Sequence, residues 1–191
     1  MWTNHLTSLT SILTDLVATD CKATVMDTNR CFELLCNIIN KTRSLGKSCY
    51  FVGNGASASM ASHFSADMAK NVKVKTHVFT DMSMITAFAN DISYDAVFAE
   101  PIKQYLNDDD VLVAISSSGN SPNIIEAVKS AKQKKATVIT LSAMKMDNKL
   151  CSMGDYNLYV PAITYGMAET SHSAILHYWV DLLTGDVTCN Q

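Results

Sequence analysis

The chain reads as an α/β protein in which a parallel sheet of five strands is sandwiched between two helical layers and preceded by two helices. Two observations predict this. Short apolar runs alternate with stretches that repeat apolar residues at helical spacing. Two polar loops, Gly53-Asn54-Gly55-Ala56-Ser57 and Ser116-Ser117-Ser118-Gly119-Asn120-Ser121, each follow such a run and precede such a stretch. Loops of that kind lie at the carboxyl ends of parallel strands, where open α/β sheets bind ligands.

Along the chain, Leu6, Leu9, Ile12, Leu13 and Leu16 predict a helix over about 4–18, and a second follows over about 27–45. The rest alternates: strand 48–52, helix 57–70, strand 74–80, helices 82–89 and 94–105, strand 110–115, helix 121–134, strand 136–141, helix 145–152, strand 156–160 and helix 167–184. The order strand, helix, strand implies parallel pairing with both faces covered. At 191 residues and 48% hydrophobic composition, one sizeable core is expected, hence one domain over 1–191. The net charge of -3 gives no basic surplus, which argues against nucleic acid as a direct partner. No stretch approaches the roughly twenty apolar residues of a membrane span, and the start lacks the pattern of a secretory signal. Cys21, Cys31, Cys36, Cys49, Cys151 and Cys189 show no Cys-x-x-Cys spacing. Reduced, buried thiols in a cytoplasmic protein fit that usage.

The second loop suits a phosphate monoester. Ser116, Ser117, Ser118 and Ser121 offer four hydroxyls, Gly119 permits unusual backbone angles, and Ser121-Pro122 supplies an N-cap followed by proline at the first helical position. One serine would serve an ordinary capped turn; four around a glycine point to an anion at a helix N-terminus. The absence of Gly-Lys-Ser/Thr excludes a nucleoside triphosphate loop. Gly53-x-Gly55 invites a dinucleotide reading, with Asp81 ending the next strand. However, Ala58 or Ser59 stands at the third glycine position, and the serine loop would have no role there. A sugar phosphate is preferred, with Asn54 and Ser57 as polar contacts.

Gly53-Asn54-Gly55-x-Ser57, Ala89-Asn90-Asp91, Ile115 to Asn123, and Glu169 with His177 together resemble the sugar isomerase (SIS) domain family, and within it the phosphoheptose isomerase branch. The likeness covers nearly the whole chain. It implies a flavodoxin-like core over 46–191, helices over 1–45 used in oligomerisation, a homotetramer with sites near subunit interfaces, and a cytoplasmic aldose–ketose isomerase of sedoheptulose 7-phosphate or a related phosphosugar, early in heptose synthesis for lipopolysaccharide or capsule. It also implies sugar contacts from Asn90 and Asp91, for which an Asx turn at a helix end is an equal alternative. Family members bind zinc through two histidines, a glutamate and a glutamine. These positions fall on His63, His177, Asp67 and Glu169, so both histidines match while aspartate replaces glutamate and glutamate replaces glutamine. Two imidazoles and two carboxylates remain a plausible zinc set.

His63 and Asp67 are four apart, hence on one helical face. Glu169, His172 and His177 share the last helix. Moving a proton between adjacent carbons through an enediol needs a base and an acid, roles that the family assigns to the positions of Asp67 and His177. Asp67 is one methylene shorter, which leaves Glu169 as a candidate base. Glu169 and His177 are separated by roughly 12 Å of ideal helix, so they meet on one ion only if Glu169 sits at the helix start or reaches in from a bend, which Gly166 would allow. The alternative to an enzyme is a non-catalytic SIS protein that binds a sugar phosphate or a partner such as a replication initiator.

Overall fold

Every residue of Val111–Ser116 is buried, as expected of a central strand that is covered on both faces. In the computed structural model, which describes residues 1–187, this strand is β5. Before it come α1 (Trp2–Thr14), β1 (Val17–Asp20), β2 (Val25–Met26), α2 (Thr28–Ser44), β3 (Ser48–Gly53), α3 (Ala56–Asp67), β4 (Lys75–Val78), α4 (Met82–Asp91) and α5 (Ala99–Tyr105). After it come α6 (Pro122–Gln133), β6 (Thr137–Ser142), β7 (Tyr156–Tyr159) and α7 (Tyr165–Thr184).

The sheet runs β2-β1-β7-β6-β5-β3-β4. From β7 to β4 all pairings are parallel. Within that parallel part the first strand, β3, lies between the second and the third, so chain direction across the sheet reverses between β3 and β5. Loops leaving neighbouring strands diverge at such a point and open a crevice. Gly53 pairs with Ile115, which brings the two polar loops out side by side.

Alternation along each strand sorts the core into two layers. Cys49, Phe51, Val113, Ile115, Ile139 and Leu141 pack with Ile12, Phe32, Leu35, Phe64 and Trp179 from α1, α2, α3 and α7. Tyr50, Val52, Leu112, Ala114 and Val138 face Ile102, Ile124 and Val128 of α5 and α6, with Met84, Ile85 and Phe88 of α4 half-buried against them.

Several sequence expectations change. The sheet has seven strands among the described residues, not five, because β1 and β2 form a hairpin between the two leading helices. Asp20 closes its turn by accepting the Lys22 and Thr24 amides, each at 2.9 Å. β1 then pairs antiparallel with β7, covering what would be an open sheet edge. The stripe of α2, including Phe32, Leu35 and Ile39, is buried within this same chain. At roughly 1.5–3 kcal/mol per side chain, that burial is an internal fold determinant and is already spent before any partner arrives.

The helix expected over 94–105 is a 3₁₀ turn, Tyr94–Ala96, followed by α5, because Pro101 has no N–H and is tolerated only in a first turn. The segment 145–152 holds only the 3₁₀ turn Lys149–Ser152, capped by Asn148. The third helix stops at Asp67 and runs into a π-helical turn, Met68–Val72, which ends at left-handed Lys73. Cys31 and Cys49 are buried thiols, and burial pushes Cys31 up to about 11, whereas Cys21 is exposed. Cys189 lies outside the described residues. No helix among the described residues is long and apolar enough to cross a membrane.

Candidate active site

The crevice between β3 and β5 is a cleft of ≈ 230 Å³ lined by Asn54 and Ser57 from the first loop, Ser116, Ser117, Ser118 and Ser121 from the second, and Tyr165 and Glu169 from α7. Gly119 adopts φ +63, and a Cβ there would collide with the Asn148 carboxamide, so only glycine closes this loop. Backbone bonds fasten the loop to its neighbours: Ala143 N–H donates to Ser117 O at 3.0 Å and Leu150 N–H to Gly119 O at 3.0 Å.

The four serines have different tasks. Ser116 and Ser121 hydroxyls bond each other at 3.1 Å. Ser121 occupies the N-cap position of α6 before Pro122, but its side chain does not cap, leaving the helix amides unfilled by any side chain. Ser118 Oγ accepts from Asn120 N–H at 3.2 Å. Ser117 Oγ is buried and makes no hydrogen bond within the chain. A buried hydroxyl without a partner is costly, and here it lines a cleft that a ligand can enter.

In the first loop Gly53 has no room for a side chain, since a Cβ would press on the Ser57 backbone. Asn54 exchanges two hydrogen bonds with Asn123, a buried residue in the first turn of α6, each at 2.9 Å. The reading of the sequence assigned no role to Asn123 or Tyr165. Both stand within four residues of a recognised contact, but neither loop spacing nor periodicity shows which way their side chains turn. Asn90 and Asp91 end α4, are exposed, bond each other at 2.8 Å and lie outside the lining of this cleft.

A second cleft of ≈ 500 Å³ adjoins the first through Glu169 and is lined by Met60, Thr170, Ser173 and His177. At this end the ligand atoms of His63, Asp67 and His177 lie within 4.8 Å of one another. His63 Nε2 is 3.2 Å from Asp67 Oδ2. Two ligands each about 2 Å from one tetrahedral ion are about 3.3 Å apart, so this pair already has the right spacing, and two imidazoles with a carboxylate suit zinc. The Phe64 ring, 4.6 Å from the His177 ring, supports the second imidazole. Glu169 is not one of the converging groups. α7 starts at Tyr165 with Thr164 as its cap, so Gly166 lies in the first turn, and Glu169, two turns before His177, lines both the serine cleft and the second cleft. His172 points elsewhere again: it is fully buried, neither ring nitrogen has a well-formed hydrogen bond, and burial, opposed in part by the Ser142 backbone, pushes it down to about 4.

A family model for the SIS domain matches residues 16–143, the span that carries both loops and both residues of the His63–Asp67 pair. The chain belongs to the SIS domain family. Among curated SIS relatives it is similar to the phosphoheptose isomerase of Campylobacter jejuni subsp. jejuni serotype O:6, 36% identical over 153 residues, covering 76% of this chain and 78% of that one. Among solved structures it resembles the phosphoheptose isomerase of Neisseria gonorrhoeae, with a TM-score of 0.75 at 31% identity over 81% of this chain and 86% of that one. The Francisella tularensis phosphoheptose isomerase gives a TM-score of 0.74 at 26% identity over 82% and 86%.

Proposed function

We propose that this SIS chain is an aldose–ketose isomerase of a phosphorylated sugar, of which sedoheptulose 7-phosphate is the type. One observation carries the reading: Glu169 is shared between a hydroxyl-lined cleft with an unpartnered serine and a second cleft that reaches His177, which is grouped with His63 and Asp67. The similarity to phosphoheptose isomerases supports the same substrate class.

In this reading the phosphate sits on the serine loop, where Ser117 Oγ, loop amides and the uncapped start of α6 donate to its oxygens. The sugar then runs along α7 past Glu169. Glu169 removes the proton from the carbon next to the carbonyl, the electron pair delocalises into an enediolate, and the same carboxyl returns the proton to the neighbouring carbon. Asp67 and His177 stand at the oxygen end, where a proton passes from the hydroxyl to the former carbonyl. A divalent ion held by His63, Asp67 and His177 would supply positive charge against the enediolate oxygens. The apolar helix α4, which buries no residue fully and leaves Met82 78% exposed, supports a tetrameric assembly that covers it. A single 1–191 domain and a cytoplasmic location belong to the same reading.

The test is metal analysis of the purified protein followed by incubation with sedoheptulose 7-phosphate and detection of the aldose. Bound metal and turnover are expected, and neither being found removes the proposal. Comparing Glu169→Gln with Asp67→Ala identifies the base: an undiminished rate in Glu169→Gln takes that role from Glu169.

A further inference from the structure

We infer that Asn123 is a positioning residue that turns Asn54 into a donor-only contact for a substrate oxygen. The inference rests on the sugar-phosphate reading of the cleft and names one specificity device within it. A carboxamide offers two N–H donors and an oxygen with two lone pairs. Asn123 Nδ2 donates to Asn54 Oδ1 at 2.9 Å, and Tyr94 Oη reaches the same oxygen at 3.4 Å. The Asn54 carboxamide oxygen is thereby held by Asn123, with the Tyr94 hydroxyl at the long end of hydrogen-bonding range beside it. Its own Nδ2 gives one N–H to Asn123 Oδ1 at 2.9 Å. One N–H remains, and Asn54 lines the cleft.

Asn123 itself is 1% exposed and does not line the cleft, so it acts only through its partner. The bond pair joins residues 69 apart in the chain, one following β3 and one opening α6. It therefore fixes the orientation of the Asn54 amide and ties together the two loops that form the crevice walls. With Ser117 Oγ and Asn54 Nδ2 both free to donate, the cleft is built to hold oxygen acceptors, which is what a phosphate ester or a carbonyl presents.

The test is a double-mutant cycle on the full chain with Asn54→Ala, Asn123→Ala and the double variant, with Asn123→Leu as a near-isosteric second variant and thermal melting as the folding control. Affinity for inorganic phosphate is measured by calorimetry, and KM and kcat with sedoheptulose 7-phosphate. Each single variant is expected to weaken phosphate binding and raise KM about tenfold, with kcat changing less than about twofold. The double variant should be no weaker than either single one, because the two side chains act as a unit. Independent losses that multiply to about a hundredfold, or wild-type phosphate affinity in a folded Asn123→Leu protein, overturn the inference while leaving the sugar-phosphate reading in place. A wild-type protein that binds no inorganic phosphate overturns both.

Discussion

Ser117→Ala separates binding from stability in opposite directions. In the free protein the Ser117 hydroxyl is buried, the residue is 6% exposed, and its oxygen has no hydrogen-bond partner. An unsatisfied buried polar group costs about 1–3 kcal/mol, and alanine removes it with the loss of a single atom. The variant should therefore be as stable as the parent or more so, by up to about 1 kcal/mol, which for a chain of this size moves Tm by about 2–4 °C. Binding should suffer, because a hydrogen bond to a charged oxygen is worth about 1.5–3 kcal/mol, a loss of about ten- to 150-fold in phosphate affinity. Ser118→Ala is the internal control. Its hydroxyl is occupied by the Asn120 amide, so it should lose stability first. Calorimetric titration with inorganic phosphate and thermal melting read both quantities. A Ser117→Ala protein that melts lower than the parent and binds phosphate equally well would refute the argument that this hydroxyl waits for a ligand.

Gly119→Ala forces a non-glycine residue into the left-handed region and drives its Cβ into Asn148, whose Nδ2 donates to Lys145 O at 2.7 Å and whose Oδ1 accepts from Cys151 N–H at 3.1 Å. A destabilisation of roughly 2–4 kcal/mol, read by urea unfolding, is expected from strain and broken hydrogen bonds together. His172 is held near 4 in the folded chain against its ordinary 6.5, so the unfolded chain binds the extra proton as pH falls. Its contribution is present in full above about pH 6.5 and is lost progressively between about 6.5 and 4, at about 1.4 kcal/mol per pH unit. Between about pH 7.5 and pH 5 the parent should lose roughly 2 kcal/mol more than His172→Leu, measured by denaturant unfolding at both values; parallel losses would show that His172 does not set the acid limb. The proposed metal site predicts that the parent takes up one divalent ion in an equilibrium dialysis assay and that His63→Ala and His177→Ala each abolish this uptake, with any affinity for inorganic phosphate kept within about twofold, since neither histidine lines the serine cleft.

Both loops and the helix pair His63–Asp67 were legible because they depend on local rules. A serine-rich turn around Gly119 announces its backbone and donors within six residues, and an i, i+4 spacing fixes a shared helical face whatever surrounds it. Glu169 was harder, since its fate depends on whether α7 bends. The Thr164 cap and the helical start at Tyr165 put it two turns before His177, where it lines both clefts and stays outside the His63–Asp67–His177 cluster. The hairpin of β1 and β2 was invisible for a different reason: strands of four and two residues hold too few positions to display alternation, and β1 exists because β7 has an edge to cover.

By itself the amino-acid order determined the α/β class, the placement of the two polar loops after strands, and the donor chemistry of the cleft. These follow from periodicity and turn residues, which act over a few neighbours. Only the tertiary structure decided which side chains are already satisfied: that Asn54 is bound to Asn123, that Ser116 and Ser121 bond each other, that Ser117 alone of the four serines is buried without a partner, and that His172 is sealed in the core. Hydrogen-bond partners and burial come from contacts between segments far apart in the chain, and no local pattern records them.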